Sequence, residues 1–279
     1  INAASATYGN NCFGQCIGLK EVSIVEGITT LPSAMFVACT ALEKITLPDS
    51  LQTVGSNFLQ TCEKLTTVNI PKSMTATGSG MFWNCKALSS IAIPETLTTI
   101  GPSTFYNCTS ITEFTIGRQI TSIGNNAFYG SGLKEILIPN TVTSLGTGVF
   151  ESCASLSKAV MEEGIAITEL PNSLFDSCSK LTSFEIPATV TRIGTETFYR
   201  CTALKSLNLA EIPLTTIDRG AFQYCGLEEL TIPATVTAVP GYAFAYMQSL
   251  KSVRILCNIT EFGSNYGIFT NCTKLEHVE

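Results

Sequence analysis

Hydrophobic residues recur along this chain in a fixed order every 22 to 25 positions. Phe13, Phe36, Leu59, Phe82, Phe105, Phe128, Phe150, Phe175, Phe198, Phe222, Phe244 and Phe269 mark the beat. Three residues after each of them stands Cys16, Cys39, Cys62, Cys85, Cys108, Cys153, Cys178, Cys201, Cys225 or Cys272, with Ser131 and Met247 in the two remaining places. An aliphatic residue follows (Leu65, Leu88, Leu156, Leu181), and then a pair at i and i+2, such as Val68/Ile70, Ile91/Ile93 or Phe184/Ile186. That alternation predicts a short strand with one buried face. Pro48, Pro71, Pro94, Pro139, Pro187 and Pro233 close such strands. Proline has no amide to give a ladder, so it belongs at a strand's end. Further on, another aliphatic residue precedes a corner held by Pro32, Gly55, Gly78, Gly101, Gly124, Gly146, Pro171, Gly194, Asp218, Pro240 or Gly263. Proline cannot take positive φ, so the corner calls for a small, tight bend rather than a left-handed residue. The Ser, Asn, Thr and Gly between corner and phenylalanine predict one capped helical turn.

A unit of strand, bend, turn and return cannot bury its apolar face alone, but stacked copies form a continuous core. The expected fold is an α/β solenoid, a right-handed superhelix of about twelve coils of about 23 residues. A parallel β-sheet would line the concave face, with short helical or 3-10 turns on the convex face. One domain is expected over 1–279, with 1–12 as an N-terminal cap and repeats over 13–279. The chain stops one residue after Val278, so a C-terminal cap is expected to be missing. "MEEGIAITEL" and "EFGSNYGIF" lengthen two steps, while "GSGL" and "CGL" each shorten one.

The motif L-x-x-[IV]-x-[IL]-P-x-x-[VL]-T-x-I-G-x-x-x-F-x-x-C resembles the BspA-like (Treponema pallidum type) leucine-rich repeats, from about Phe13 to Val278. The resemblance implies a secreted or surface-attached protein that adheres to host or neighbouring-cell proteins or glycans. An intracellular interaction scaffold with the same fold is the alternative.

Ten of the twelve cysteines share one column, where stacked side chains run parallel instead of converging as a disulfide requires. Structural thiols are therefore expected in the ladder, with Cys12 and Cys257, which lie off the register, as the better disulfide candidates. So many free thiols fit an exported protein of an anaerobic habitat or an intracellular protein equally.

Net charge of −6 speaks against a nucleic-acid partner. No apolar run reaches the roughly 18 residues of a spanning helix. His277 is the only histidine, with no catalytic motif around it, and neither zinc-ligand spacing nor a phosphate-binding loop is present. No cofactor, metal or enzymatic activity is expected. Glu162 and Glu163 read as a solvated loop, and Asn107, Asn258 and Asn271 begin N-x-T sequons. The expected activity is binding. Outward strand positions supply one candidate surface: Thr46, Asn69, Thr115, Glu185, Asn208, Thr231 and Arg254, with an apolar step at Leu137 and Val160. Trp83, Tyr106 and Tyr129, beside Asn84 and Asn107, supply another, because exposed flat rings near amides can stack on sugars.

Overall fold

The computed structural model describes Ile1, residues 7–257 and residues 267–279. The sequon at Asn258, the corner at Gly263 and most of "EFGSNYGIF" lie outside the described residues. The chain falls into two compact units, Ile1–Leu133 with Ser144–Gly146, and Lys134–Thr143 with Thr147–Glu279. Both are parallel β-solenoids.

In the first unit, strands Glu21–Ser23 and Lys44–Thr46 pair in parallel, as do Thr67–Asn69 and Ser90–Ala92. In the second, Glu135–Ile138 pairs with Lys158–Met161, and Glu229–Ile232 with Ser252–Ile255 and then His277–Val278. Glu21 lies opposite Lys44, Thr67 opposite Ser90 and Glu229 opposite Ser252, so the ladder register equals the sequence period. In Glu21–Ser23, Lys44–Thr46 and Thr67–Asn69 the middle residue (Val22, Ile45, Val68) is buried between exposed neighbours, as the i, i+2 pattern requires, while Ile91 is half-buried.

A second ladder runs just before the corner. Thr30–Leu31 pairs with Thr53–Val54, Thr99–Ile100 with Ser122–Ile123, and Glu169–Leu170 with Arg192–Ile193. The single aliphatic residue before each corner was too little pattern to announce a strand. Corner glycines are small for the reason anticipated. A Cβ on Gly55 would lie 2.3 Å from the Ser33 amide nitrogen, and one on Gly101 2.4 Å from the Thr77 carbonyl oxygen, while neither glycine has positive φ.

The turn face departs from the helical form expected of it. Among the described residues the only helix is the 3-10 turn Leu209–Glu211. Elsewhere the segment between corner and cysteine carries left-handed residues four apart, as at Ala34/Ala38, Asn57/Thr61 and Ser103/Asn107. These reversals point alternate amides at the next coil: Ala34, Phe36 and Ala38 donate to the carbonyls of Ser56, Phe58 and Gln60 at 2.8, 3.0 and 2.7 Å. Each left-handed residue other than glycine costs about 1–2 kcal/mol. The coil-to-coil bonds offset that cost, since a buried amide without a partner is costly too.

Phenylalanines fill the interior in columns. Phe105 is fully buried, with ring centroids 5.7 Å from Phe82 and 5.2 Å from Phe128. In the second unit Phe198, Phe222 and Phe244 stack at 5.5 and 5.3 Å. Leu59 is buried at its expected place, and the neighbouring Phe58 supplies the ring that meets Phe36, 5.5 Å away. Met35 and Met81 hold the equivalent place in the flanking coils, so order is exchanged and volume kept.

The cysteine column has a specific role. Along the column Sγ donates to the phenylalanine-position carbonyl one coil back: Cys39 to Phe13 (3.1 Å), Cys62 to Phe36 (3.3 Å), Cys85 to Leu59 (3.2 Å), Cys108 to Phe82 (3.1 Å) and Cys201 to Phe175 (3.1 Å), whereas Cys225, after the shortened step, reaches the Cys201 carbonyl at 3.6 Å. The Phe36 and Phe82 carbonyls already accept the Cys39 and Cys85 amides that close the turns. The thiol therefore occupies a second lone pair in a dry interior, where a weak donor with the volume of a small hydrophobe fits. Burial holds the Cys85, Cys178 and Cys201 thiols far above their ordinary pKa and lifts Cys225 to about 12. Off the register, Cys12 is exposed and Cys257 is buried.

Candidate functional site

The strand face is built from the outward residues of the first ladder. Thr46, Asn69, Thr115, Glu185 and Arg254 are exposed there, while Asn208 and Thr231 are half-buried. Much of the charge on the exposed faces is consumed internally, because the period places opposite charges one coil apart. Lys44 pairs with Glu21 at 3.0 Å, Lys72 with Asp49 at 3.0 Å and Lys86 with Glu63 at 2.8 Å. In the second unit Arg192 reaches Glu169 and Asp218, Glu228 lies between Lys205 and Lys251, and Arg254 reaches Glu279 at 3.3 Å. Of the expected site residues, Arg254 is thus engaged. Asn208 is engaged more deeply: its side-chain amide accepts from the Ile186 amide and donates to the Ile186 carbonyl, both at 2.9 Å. It does what a strand neighbour would do.

That substitution marks an interruption. The strand-face position that is Val22, Ile45 or Val68 elsewhere becomes Phe114 in the first unit and Phe184 in the second. Phe184 packs against Phe175 at 4.9 Å and Phe198 at 5.8 Å, and Phe114 against Phe105 at 5.2 Å and Phe128 at 4.9 Å. A ring needs more depth than valine or isoleucine, and the backbone above it leaves the ladder. Residues 113–116 form no strand, and Ser183 keeps one isolated bridge to Lys158. A cleft opens at each place. The first, about 490 Å³, is bordered by Ile91, Phe114 and Gln119, whose amide donates to the Pro94 carbonyl at 3.0 Å. The second, about 960 Å³, spans 158–165, 183–189 and 206–212. Leu137 and Val160, opposite each other in register, remain 54% and 38% exposed, and Val160 lines the larger cleft.

On the turn face, Trp83, Tyr106 and Tyr129 form one half-buried stack, with centroids 4.4 Å apart at 31° and 4.3 Å apart at 4°. Tyr106 is thereby covered on both faces. The flat surfaces expected to receive sugar rings are largely spent on one another, and ring edges remain. Asn84 and Asn107 adopt φ of 57° and 53°, and their backbone amides donate to the Tyr106 and Tyr129 carbonyls at 2.8 and 2.7 Å. Asparagine tolerates this conformation better than most residues, which accounts for its presence beside the rings.

A further aromatic group escaped the sequence reading. Tyr224 stacks on Tyr246 at 4.7 Å, and the Arg200 guanidinium lies 5.0 Å from the Tyr199 ring and 5.6 Å from that of Tyr224. Tyr224 and Tyr246 sit two places after the core phenylalanine, Tyr199 only one, so no single column contains them. Burial raises the Asp176 carboxyl above its ordinary value, with the Glu196 charge adding to the effect. Burial likewise raises Glu151, with Asp176 and Glu196 adding. Glu162 accepts the Asn140 amide at 3.0 Å, Glu163 is exposed, and His277 is exposed on the last strand. Among the described residues no three His, Cys, Asp or Glu side chains could hold a metal ion, and no helix is long and apolar enough to cross a membrane.

No curated protein matches the chain. Among solved structures, a leucine-rich repeat protein from Bacteroides ovatus is 29% identical with a TM-score of 0.72. The match covers 82% of this chain and 58% of that one, so the chain spans under two thirds of that relative. A leucine-rich cell surface protein from Faecalibacterium prausnitzii is 26% identical with a TM-score of 0.61, covering 97% of this chain and 75% of the other. The leucine-rich repeat protein of T. pallidum, 22% identical with a TM-score of 0.51 and covering 66% of this chain and 83% of its own, shares the fold. The BspA type leucine-rich repeat region matches residues 6–131, 75–169 and 168–279, that is, from the first cysteine coil to the last strand. By this repeat, its register and its core, the chain belongs to the BspA-type leucine-rich repeat family.

Proposed function

We propose that this is a non-enzymatic binding protein of the cell surface or extracellular space, which adheres to a host or neighbouring-cell protein or glycan through its strand face. The observation that carries the reading is the contrast on that face. Most of it is polar, yet Leu137 and Val160 are exposed side by side, with Val160 at the edge of a large cleft. Adjoining exposed apolar side chains mark interaction sites more often than isolated ones do. The Faecalibacterium cell surface protein supports the location.

An intracellular scaffold is the second reading, favoured by the exposed free thiols Cys12 and Cys16, which a reducing compartment would preserve. Antibody labelling of intact against lysed source cells separates the two. Labelling of intact cells, together with retention of protein-coated beads on immobilised extracellular-matrix protein or mucin, is the expected result. Labelling only after lysis would replace the surface role with the scaffold.

A further inference from the structure

The larger cleft gathers several carboxylates around an apolar base, most of them without an ion pair among the described residues. Its lining holds four acids, Glu162, Glu163, Glu185 and Glu211, against one base, Lys158. Glu162 is taken up by the Asn140 amide. Glu163, Glu185 and Glu211 are exposed and have no ion pair among the described residues. Lys158 has none either, and one ammonium cannot balance three carboxylates. By contrast Glu21, Asp49, Glu63, Glu169, Asp218, Glu228 and Glu279 each meet a lysine or arginine of a neighbouring coil.

Beneath the three carboxylates the cleft is apolar. Phe184 lies at its base, 4% exposed, with Leu207 half-buried beside it and Val160 open at the edge. The backbone is also unusual here. The ladder that continues through Glu135–Ile138 and Lys158–Met161 stops at the Ser183 bridge, and residues 184–186 form no strand. An acidic rim over an apolar base is complementary to an extended segment that alternates cationic and aliphatic side chains. Apolar anchors would enter over Phe184 and Leu207, while lysine or arginine reached the rim.

We infer that this cleft is the docking site for an extended basic-apolar segment of a protein partner. The inference rests on the binding role proposed above and names the class of partner and the place where it sits. Glu163, Glu185 and Glu211 supply charge recognition, and Val160 and Leu207 supply the apolar contact.

The probe is a fluorescein-labelled synthetic peptide of alternating Lys and Leu, with an alternating Glu-Leu peptide as its counterpart. Binding is read by anisotropy at about 50 and about 300 mM NaCl, where screening of exposed charges differs clearly. The triple variant E163Q/E185Q/E211Q alters exposed side chains only, and circular dichroism checks its fold. The matched control is E95Q/E113Q, at the smaller cleft. The Lys-Leu peptide is expected to bind the wild type at least about tenfold more tightly than the triple variant, and more weakly in high salt. The control should stay within about twofold. Equal binding to the triple variant, equal loss in the control, equal binding of the Glu-Leu peptide, or no binding of either peptide overturns the inference. Loss of mucin-glycan retention in the triple variant without any peptide binding also overturns it, and assigns the cleft to a glycan. If beads coated with the triple variant still adhere as the wild type does, the adhesive role stands and only the cleft's part in it falls.

Discussion

Phe105 and Tyr106 are neighbours in sequence and opposites in surroundings, so truncating each to alanine tests which face holds the solenoid together. Phe105 is fully buried and meets three rings, Phe82 at 5.7 Å, Phe114 at 5.2 Å and Phe128 at 5.2 Å. Removing it leaves a cavity walled by aromatic side chains that resists collapse, because the coils are fixed by the second ladder, Thr99–Ile100 with Ser122–Ile123, and by turn-face bonds such as Phe105 to the Ala127 carbonyl at 2.8 Å. Large-to-small changes of this kind cost about 3–5 kcal/mol, and the removal of a ring with three aromatic partners puts Phe105→Ala near the upper end. Tyr106 is half-buried, but its stack touches two rings at 4.4 and 4.3 Å. With each aromatic pair worth about 0.5–1.5 kcal/mol, Tyr106→Ala should cost about 2 kcal/mol. Trp83→Ala, which loses one pair, should cost about 1 kcal/mol. Urea unfolding followed by far-ultraviolet circular dichroism gives all three values. In a stack of nearest-neighbour units, the Phe105 variant should also lose the first unit's signal at lower urea than the second's. A cost under about 2 kcal/mol for Phe105→Ala would refute the account of the core. A Tyr106 cost no greater than that of Trp83 would refute the energetic role given to the stack.

Three further outcomes follow from the same geometry. With the ladder thiols buried and their ionisation suppressed, DTNB should react quickly with Cys12 and Cys16 in the native protein and with the rest only on unfolding; more than about four fast thiols would contradict the burial seen. Gly101→Ala must push its Cβ against the Thr77 carbonyl, 2.4 Å away, and should lower the melting temperature far more than Gly9→Ala, where nothing lies within 4 Å; equal shifts would show that the corner is not close-packed. Burial, with the Glu196 charge, raises the Asp176 carboxyl above its ordinary 3.8, so its ionisation opposes folding: stability from this group is full at low pH and is lost as pH rises through the raised value. Asp176→Asn should therefore melt higher than wild type at pH 7 and lose that advantage as pH falls toward about 4, and a variant less stable at pH 7 would reverse the sign.

The period, the strand and corner positions and the buried columns were legible because stacking forces the same residue type to recur at the same depth. Two local features were not. The turn face carries left-handed residues at Ala34, Ala38, Ser173 and Glu196, types that announce nothing of the kind. Their conformation is imposed by bonds from the next coil, which a local reading cannot see. The second strand of each coil, as in Thr30–Leu31 and Arg192–Ile193, is two residues long and exists only through pairing with its copies. The candidate site was half legible. Leu137 and Val160 stood out as an apolar step in a polar column, and Glu185 and Asn208 fell in that same column. Nothing in the pattern distinguished Asn208, bonded to the Ile186 backbone, from Glu185, which faces the cleft.

Repetition also limits where a partner can be recognised. Where an offset of about 23 residues brings opposite charges together, they satisfy each other: Glu21 with Lys44, Asp49 with Lys72, Glu63 with Lys86. Paired positions of this kind discriminate poorly, because they offer a partner a neutralised surface. Discrimination needs groups that the repeat leaves over. At Phe184 the ladder is broken, and the lengthened step at "MEEGIAITEL" adds Glu163 at the edge of the opening. Three carboxylates then remain without a cation one coil away. The same bulk that weakens the sheet locally keeps Phe184 against Phe175 and Phe198, so the opening is supported from beneath by aromatic packing. On this argument Phe184→Val should let residues 183–186 rejoin the ladder and narrow the cleft. Amide exchange at Phe184 and Glu185 should slow by at least about tenfold, and Lys-Leu peptide binding should weaken in parallel. Faster exchange, or slower exchange with binding unchanged, would show that the aromatic side chain does not hold the site open.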